Sequence, residues 1–199
     1  MANKKEQASE QMRHKILATT IKIIGREGYG EVTASNLSQK AKISKGALYH
    51  HFTNLDEIRY EALAFLIHQL IDTGSPSEYE SLKEFLQETG KQAFTNMDEY
   101  PVATKALFTY VVQALVDNKL KDQLQGLVNH ALQQYKHAFS YFYPDINDVV
   151  LTGLVQIVDA YIGGATLQCY ILNDTVLHQA NWERFSQMLI DHIEQVRTR

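Results

Sequence analysis

Two helix caps, Thr33 and Ser44, stand so close together that each can open only a short helix. Lys42-Ile43 between them reads as a tight turn. The first short helix carries Leu37 and Ala41 inward, and the second runs from Lys45 to His51. Helices of this length do not hold together alone, so the segment Thr33 to Phe52 requires packing partners on both sides. The chain supplies them. Ile16, Leu17, Thr20, Ile23 and Ile24 recur at the three-four spacing of one buried stripe, which predicts a helix over about Ser9 to Glu27, ended by Gly28 and Gly30. On the other side Asn54 and Glu57 form a capping-box pattern that opens a fourth helix to about Leu70. Ile16, Ile23, Leu37, Ile43, Leu48 and Phe52 are the expected small core of this head.

Beyond the breaker Gly74-Ser75-Pro76-Ser77 the pattern stays helical. Ser81 with Glu84 opens a helix to about Asn96. Pro101 starts another that runs to Val116. Further helices are expected over about Leu120 to Phe142, Asn147 to Leu172 and Val176 to Val196, with Pro144-Asp145 as a break. No useful strand alternation occurs. The fold class is all-α, with about nine helices: a three-helix helix-turn-helix head on a larger helical body. The expected division is a head over 1–55, a connector helix over about 55–73, and a body over 74–199.

Net charge is −4, but its distribution is uneven. Residues 1–60 carry ten Lys/Arg against six Asp/Glu, and the remainder nine against seventeen. A basic head on an acidic body is the footprint expected when the head alone meets phosphates. A seven-residue third helix is roughly 10 Å long and fits a major groove about 12 Å wide. The residue types suit that use. Thr33 and Ser35 present hydroxyls at a helix start where a phosphate can sit. Ser44 and Lys45 can bond phosphate or base edges. Gly46 and Ala47 let the backbone approach closely, and Tyr49 and His50 carry polar tips suited to phosphate oxygens. Tyr49 serves equally well as packing between the third and fourth helices. Adjacent His50 and His51 point apart on a helix, so a metal site there is not expected.

The run from Val32 through Thr33-Ala-Ser-Asn-Leu to Ser44-Lys-Gly-Ala-Leu-Tyr-His-His-Phe52, with Gly28-Tyr29-Gly30 before it and Asn54-Leu-Asp-Glu-Ile58 after it, resembles the signature of the TetR family of bacterial transcriptional regulators. The resemblance covers about residues 12–60. It implies an all-helical homodimer whose heads bind half-sites of a palindromic operator, most often as a repressor, and whose body binds a small effector that releases double-stranded DNA. One position departs: the family often has a phosphate-contacting lysine where this chain has Leu55. Weaker non-specific DNA binding and a shallower salt dependence are expected.

In the body, the helix from Asn147 is apolar nearly all round, and such a helix must be covered on every side. A two-fold pairing with a second copy would cover it, through Leu154, Val158 and Ile162 with Phe185, Leu189 and Ile193 of the last helix. A central place in a monomeric core is the alternative. Aromatics are abundant, and tyrosines inside a bundle need partners for their hydroxyls. Tyr100, Phe108, Tyr135, Phe139, Gln156, Asp159 and Tyr161 are the candidates for a pocket holding a largely hydrophobic effector, cationic if Asp159 is unpaired.

A helical enzyme and a protein-interaction module are the competing classes. Paired carboxylates, a phosphate loop and a nucleophile motif are all missing, so no catalytic residue and no cofactor are expected. The single Cys169 rules out an internal disulfide. The polar N-terminus does not read as a signal peptide, and the most apolar stretch, Val149 to Leu172, is interrupted by Gln156, Asp159 and Gln168. A soluble, cytoplasmic protein is expected.

Overall fold

The computed structural model describes residues 4–70 and 74–197. The parts of the expected spans that fall on 1–3, 71–73 and 198–199 lie outside the described residues. Among those residues the chain forms nine α-helices and no strand: α1 Lys4–Glu27, α2 Ala34–Ala41, α3 Lys45–His51, α4 Leu55–Leu70, α5 Leu82–Glu99, α6 Pro101–Ala114, α7 Asn118–Phe142, α8 Asp148–Leu172 and α9 Thr175–Arg197. Single 3₁₀ turns at Tyr29–Glu31 and Pro76–Glu78 complete the order. The helix count and all-α class agree with the sequence pattern.

The chain packs as two compact units. One takes the chain up to Leu70 together with Tyr100–Leu127, and the other takes the rest. This grouping cuts across the functional division expected at residue 74, because α6 joins the head. The first core holds Ile16, Ile23, Leu37, Leu48 and Phe52 as expected, with Ile43 partly buried, and extends through Ile58, Leu63 and Leu66 of α4 to Ala106 and Tyr110 of α6. Nothing in the periodicity of α6 says which helices it will meet.

Local chemistry sets the helix ends of this unit. Gly28, at φ 106°, adopts a backbone that a side chain would strain, and its N–H donates to Ile24 O at 3.1 Å, which ends α1. Lys42 closes α2 in the left-handed region at φ 54°. Pro101 occupies the first turn of α6, where no N–H is required.

The second unit is built on Phe85, Leu86 and Phe94 of α5, Phe139 of α7, Leu151, Val155 and Val158 of α8, and Trp182 and Ile193 of α9. The Trp182 indole N–H donates to Leu86 O at 2.7 Å, so the largest buried side chain satisfies its polar atom on the neighbouring helix. The Asn147 side chain caps α8 by accepting from Val149 N at 2.9 Å. One expectation is corrected here. By length and a mean hydropathy of 1.5, α8 meets the requirement for crossing a membrane. Its polar interruptions are too few to lower the average. One face of α8 nevertheless packs into the protein core through Leu151, Leu154, Val155, Val158, Ala165 and Cys169.

Candidate nucleic-acid interface

The short α3 is fixed at both ends by side chains. Ser44 starts it, its hydroxyl accepting from Ala47 N at 3.0 Å. At the other end Arg13 of α1 donates to the His51 carbonyl, pairs with Glu61 of α4 through both carboxylate oxygens, and lies 4.3 Å from the Phe52 ring centroid. One guanidinium thus joins α1, the last turn of α3 and α4. Nothing in the residue pattern signals this role, because there Arg13 counts only as one more positive charge. Leu48 is the buried knob of α3 and carries none of the exposed polar face.

The second helix is anchored just as locally. Thr33 caps it by accepting from Asn36 N at 3.2 Å. The Asn36 amide in turn donates to Glu31 O at 2.9 Å and to Glu27 at 3.1 Å. Lys40 pairs with Glu27 at 2.8 Å, tying α2 to the end of α1. The bonds from Lys40 and Asn36 hold the Glu27 carboxyl below its ordinary pKa. Bonds from the Thr53 hydroxyl and N–H do the same for Glu57 at the start of α4, where Glu57 N also donates to Asn54 Oδ1 at 2.9 Å. The capping box read from the sequence is present.

What these anchors leave free is one polar edge. Thr33, Ser35, Ser44, Lys45, Gly46, Tyr49 and His50 are exposed, and Ala47 is half-buried among them. Tyr49 is 48% exposed, which leaves its ring and hydroxyl open to a ligand. The His50 and His51 rings meet edge to face at 5.3 Å. Burial, then His50 and Arg13, lower the His51 pKa and favour its neutral form. Among the described residues no group of three His, Cys, Asp or Glu stands close enough to hold a metal ion. Leu55 is partly buried and packs against the head core, so the position that lacks a lysine contributes apolar packing instead.

Residues 16–62 match the family model of bacterial regulatory proteins, tetR family. Over these residues the head is similar to the TetR family. No curated protein matches the chain by sequence. Solved structures extend the TetR-like fold over most of its length. A transcriptional regulator from Saccharomonospora viridis in complex with choline is 16% identical, with TM-score 0.71, covering 92% of this chain and 97% of that one. A TetR transcription regulator from Haloarcula marismortui is 17% identical, with TM-score 0.69 and coverages of 92% and 98%. A TetR family transcription regulator from Marinobacter aquaeolei VT8 is 15% identical, with TM-score 0.67 and coverages of 92% and 97%.

The residues expected to line an effector pocket lie as follows. Of the seven pocket candidates, the structure brings together Tyr135 and Asp159. Tyr135 is buried, and burial followed by the Asp159 charge raises its pKa far above the ordinary phenol range. Burial also raises the Asp159 carboxyl, which has no ion pair among the described residues. Tyr161 is stacked flat on Phe185 at 4.1 Å and lies 5.9 Å from Trp182, which makes it part of an aromatic packing cluster. Phe139 is fully buried core, Gln156 is exposed, and Tyr100 and Phe108 belong to the first packing unit. The second unit carries a cleft of about 230 Å³ lined by Gly90, Lys91, Phe94, Gln179, Trp182 and Glu183, none of them among the seven.

The expected interface residues lie as follows. Leu154, Val158, Leu189 and Ile193 are buried within a single chain, and Ile162 and Phe185 pack against the same core. A helix apolar all round does not reveal which side its own chain covers. On α8 the open side is opposite the buried one, with Ile157, Leu167 and Ile171 exposed at helical spacing, and on α9 Met188 is 70% exposed.

Proposed function

We propose that this chain is a ligand-responsive transcriptional regulator, acting as a repressor, that binds a palindromic operator as a cytoplasmic homodimer and leaves it when a small, largely hydrophobic effector binds the body. The observation that carries the reading is α3: a helix capped by Ser44, locked at its far end by Arg13, with Lys45, Gly46, Tyr49 and His50 exposed along it. A helix of this length, roughly 10 Å, presents its N-terminal residues to base edges in a major groove while the flanking groups meet phosphates. Thr33 and Ser35 at the start of α2 face the backbone in this arrangement. The functional division is the head over 1–55, α4 as connector, and the body from 74 onward. No catalytic step and no cofactor are part of it.

Two copies are needed because one α3 reads only half of a two-fold site, and the heads must sit about 34–36 Å apart or a multiple. The unpartnered stripe of Ile157, Leu167 and Ile171 on α8, with Met188 on α9, supplies a self-complementary apolar surface for that pairing. The effector reading is supported by the uncompensated Asp159 carboxyl beside Tyr135, which favours a ligand with a cationic group on an apolar frame. The choline held by the fold neighbour from Saccharomonospora viridis is of that chemistry. Release follows if the effector binds better to head spacings that miss the operator.

The test is selection of duplexes from a random-sequence pool by the full chain, followed by gel shift. A recovered duplex with two-fold symmetric half-sites supports the proposal. Recovery of no duplex above background at low salt overturns it.

A further inference from the structure

We infer that Tyr110 is a positioning residue for DNA binding: from α6 it holds Arg59 of α4, and Arg59 holds the backbone that leads into α2. The inference rests on the DNA-binding role proposed above and adds a route by which α6 governs it.

Tyr110 is fully buried, and its hydroxyl donates to the Arg59 carbonyl at 2.8 Å. Its ring meets Tyr29 edge to face at 5.7 Å. Tyr29 in turn lies under the Arg59 guanidinium, 4.9 Å from ring centroid to Cζ. Arg59 spans outward from there. It pairs with Asp56 at 2.9 Å, and its other terminal nitrogen donates to Val32 O at 2.9 Å. Val32 directly precedes Thr33, the cap of α2. Arg59 is therefore held at both ends: its carbonyl takes the Tyr110 hydroxyl, and its guanidinium joins Tyr29, Asp56 and Val32, the last at the entry to the helix-turn-helix.

Two facts set this group apart from ordinary packing. The Arg59 Nε is buried without a hydrogen-bond partner. A buried donor left unpaired is costly, so the guanidinium is held in this orientation by its surroundings. And α6 approaches the head too closely to slide freely: a Cβ built on Gly25 of α1 would lie 2.1 Å from the Val102 carbonyl oxygen. Close packing at the start of α6 and the hydrogen bond at Tyr110 thus couple α6 to both α1 and α4. A shift of α6 by about 1 Å takes the Tyr110 bond beyond hydrogen-bond range and removes a tie on the Arg59 backbone, from which the guanidinium reaches Val32.

Tyr110→Phe keeps the ring and deletes the hydroxyl. Arg59→Met keeps much of the stem and deletes the fork. Both variants, and the pair, are examined by amide hydrogen exchange on the full chain and by affinity for a duplex recovered from the random pool by the wild-type protein. In Tyr110→Phe we expect the Asn36 and Leu37 amides, both bonded to Thr33, to exchange about fivefold faster, with affinity falling about fivefold, the scale of one hydrogen bond. Amides in α9 should be unchanged. Adding Tyr110→Phe to Arg59→Met should produce no further loss, because both act through one link. Unchanged exchange at Asn36 and Leu37, or effects of the two substitutions that simply add, would overturn the inference. The exchange measurement decides it without DNA, whereas failure to recover any duplex would overturn the DNA-binding role itself.

Discussion

A methyl group at position 90 would lie 2.1 Å from the indole ring of Trp182. The ring cannot retreat, because it is buried and its N–H is spent on Leu86 O. Gly90→Ala is therefore an overpacking substitution and should cost about 2 kcal/mol, read as a lower urea midpoint with an unchanged slope. Asp159 is the opposite case, a group whose replacement should help. Burial raises its carboxyl above the ordinary value of 3.8. A raised acid contributes stability that is fully present below the unfolded value and lost as pH rises through the folded one. Asp159→Asn should accordingly stabilise the chain at pH 7, with the gain shrinking toward pH 4 in a series of urea midpoints. The same substitution should abolish response to a cationic effector. A stabilised variant that still releases DNA with such a ligand would remove Asp159 from the effector site.

At the scale of elements, the short helices depend on their caps more than on their length. Ser44→Ala removes the bond to Ala47 N and should cost about 1 kcal/mol, measured by thermal or urea unfolding. Ser44→Asp keeps an accepting oxygen, so stability should hold, yet its charge faces the phosphate side and DNA affinity should fall. That pair separates the cap from the contact. Leu55 poses a related choice. Leu55→Lys should steepen the dependence of log affinity on log salt by about 0.9 for one added phosphate contact. Because Leu55 packs against the head core, the substitution should also cost about 1 kcal/mol of stability. An unchanged salt slope would show that a lysine at the start of α4 does not reach DNA in this protein.

For the whole molecule, the proposed dimer depends on the open side of α8. Ile157→Glu with Met188→Glu places two charges on that stripe and should convert a dimer to a monomer in sedimentation at micromolar concentration. The residues first expected there make a useful contrast: Leu154→Glu should unfold the chain, since Leu154 is 5% exposed within one subunit. A wild-type protein that sediments as a monomer would remove the dimer proposal.

What the sequence determined by itself was everything local. Helix starts followed from Thr33, Ser44 and Asn54, because a cap bonds within its own turn. The glycine stop at Gly28 and the polar edge from Ser44 to His50 were legible for the same reason, as was the family resemblance of the head. Only the tertiary structure decided the rest. It decided that α6 packs with the head, that Arg13 and Arg59 are structural links as well as charges, that Tyr161 belongs to an aromatic stack, and which side of α8 its own chain covers. Periodicity reports that a face is apolar. It carries no information on which distant face will meet it, because that choice is made by shape and by long-range contacts between segments far apart in the chain.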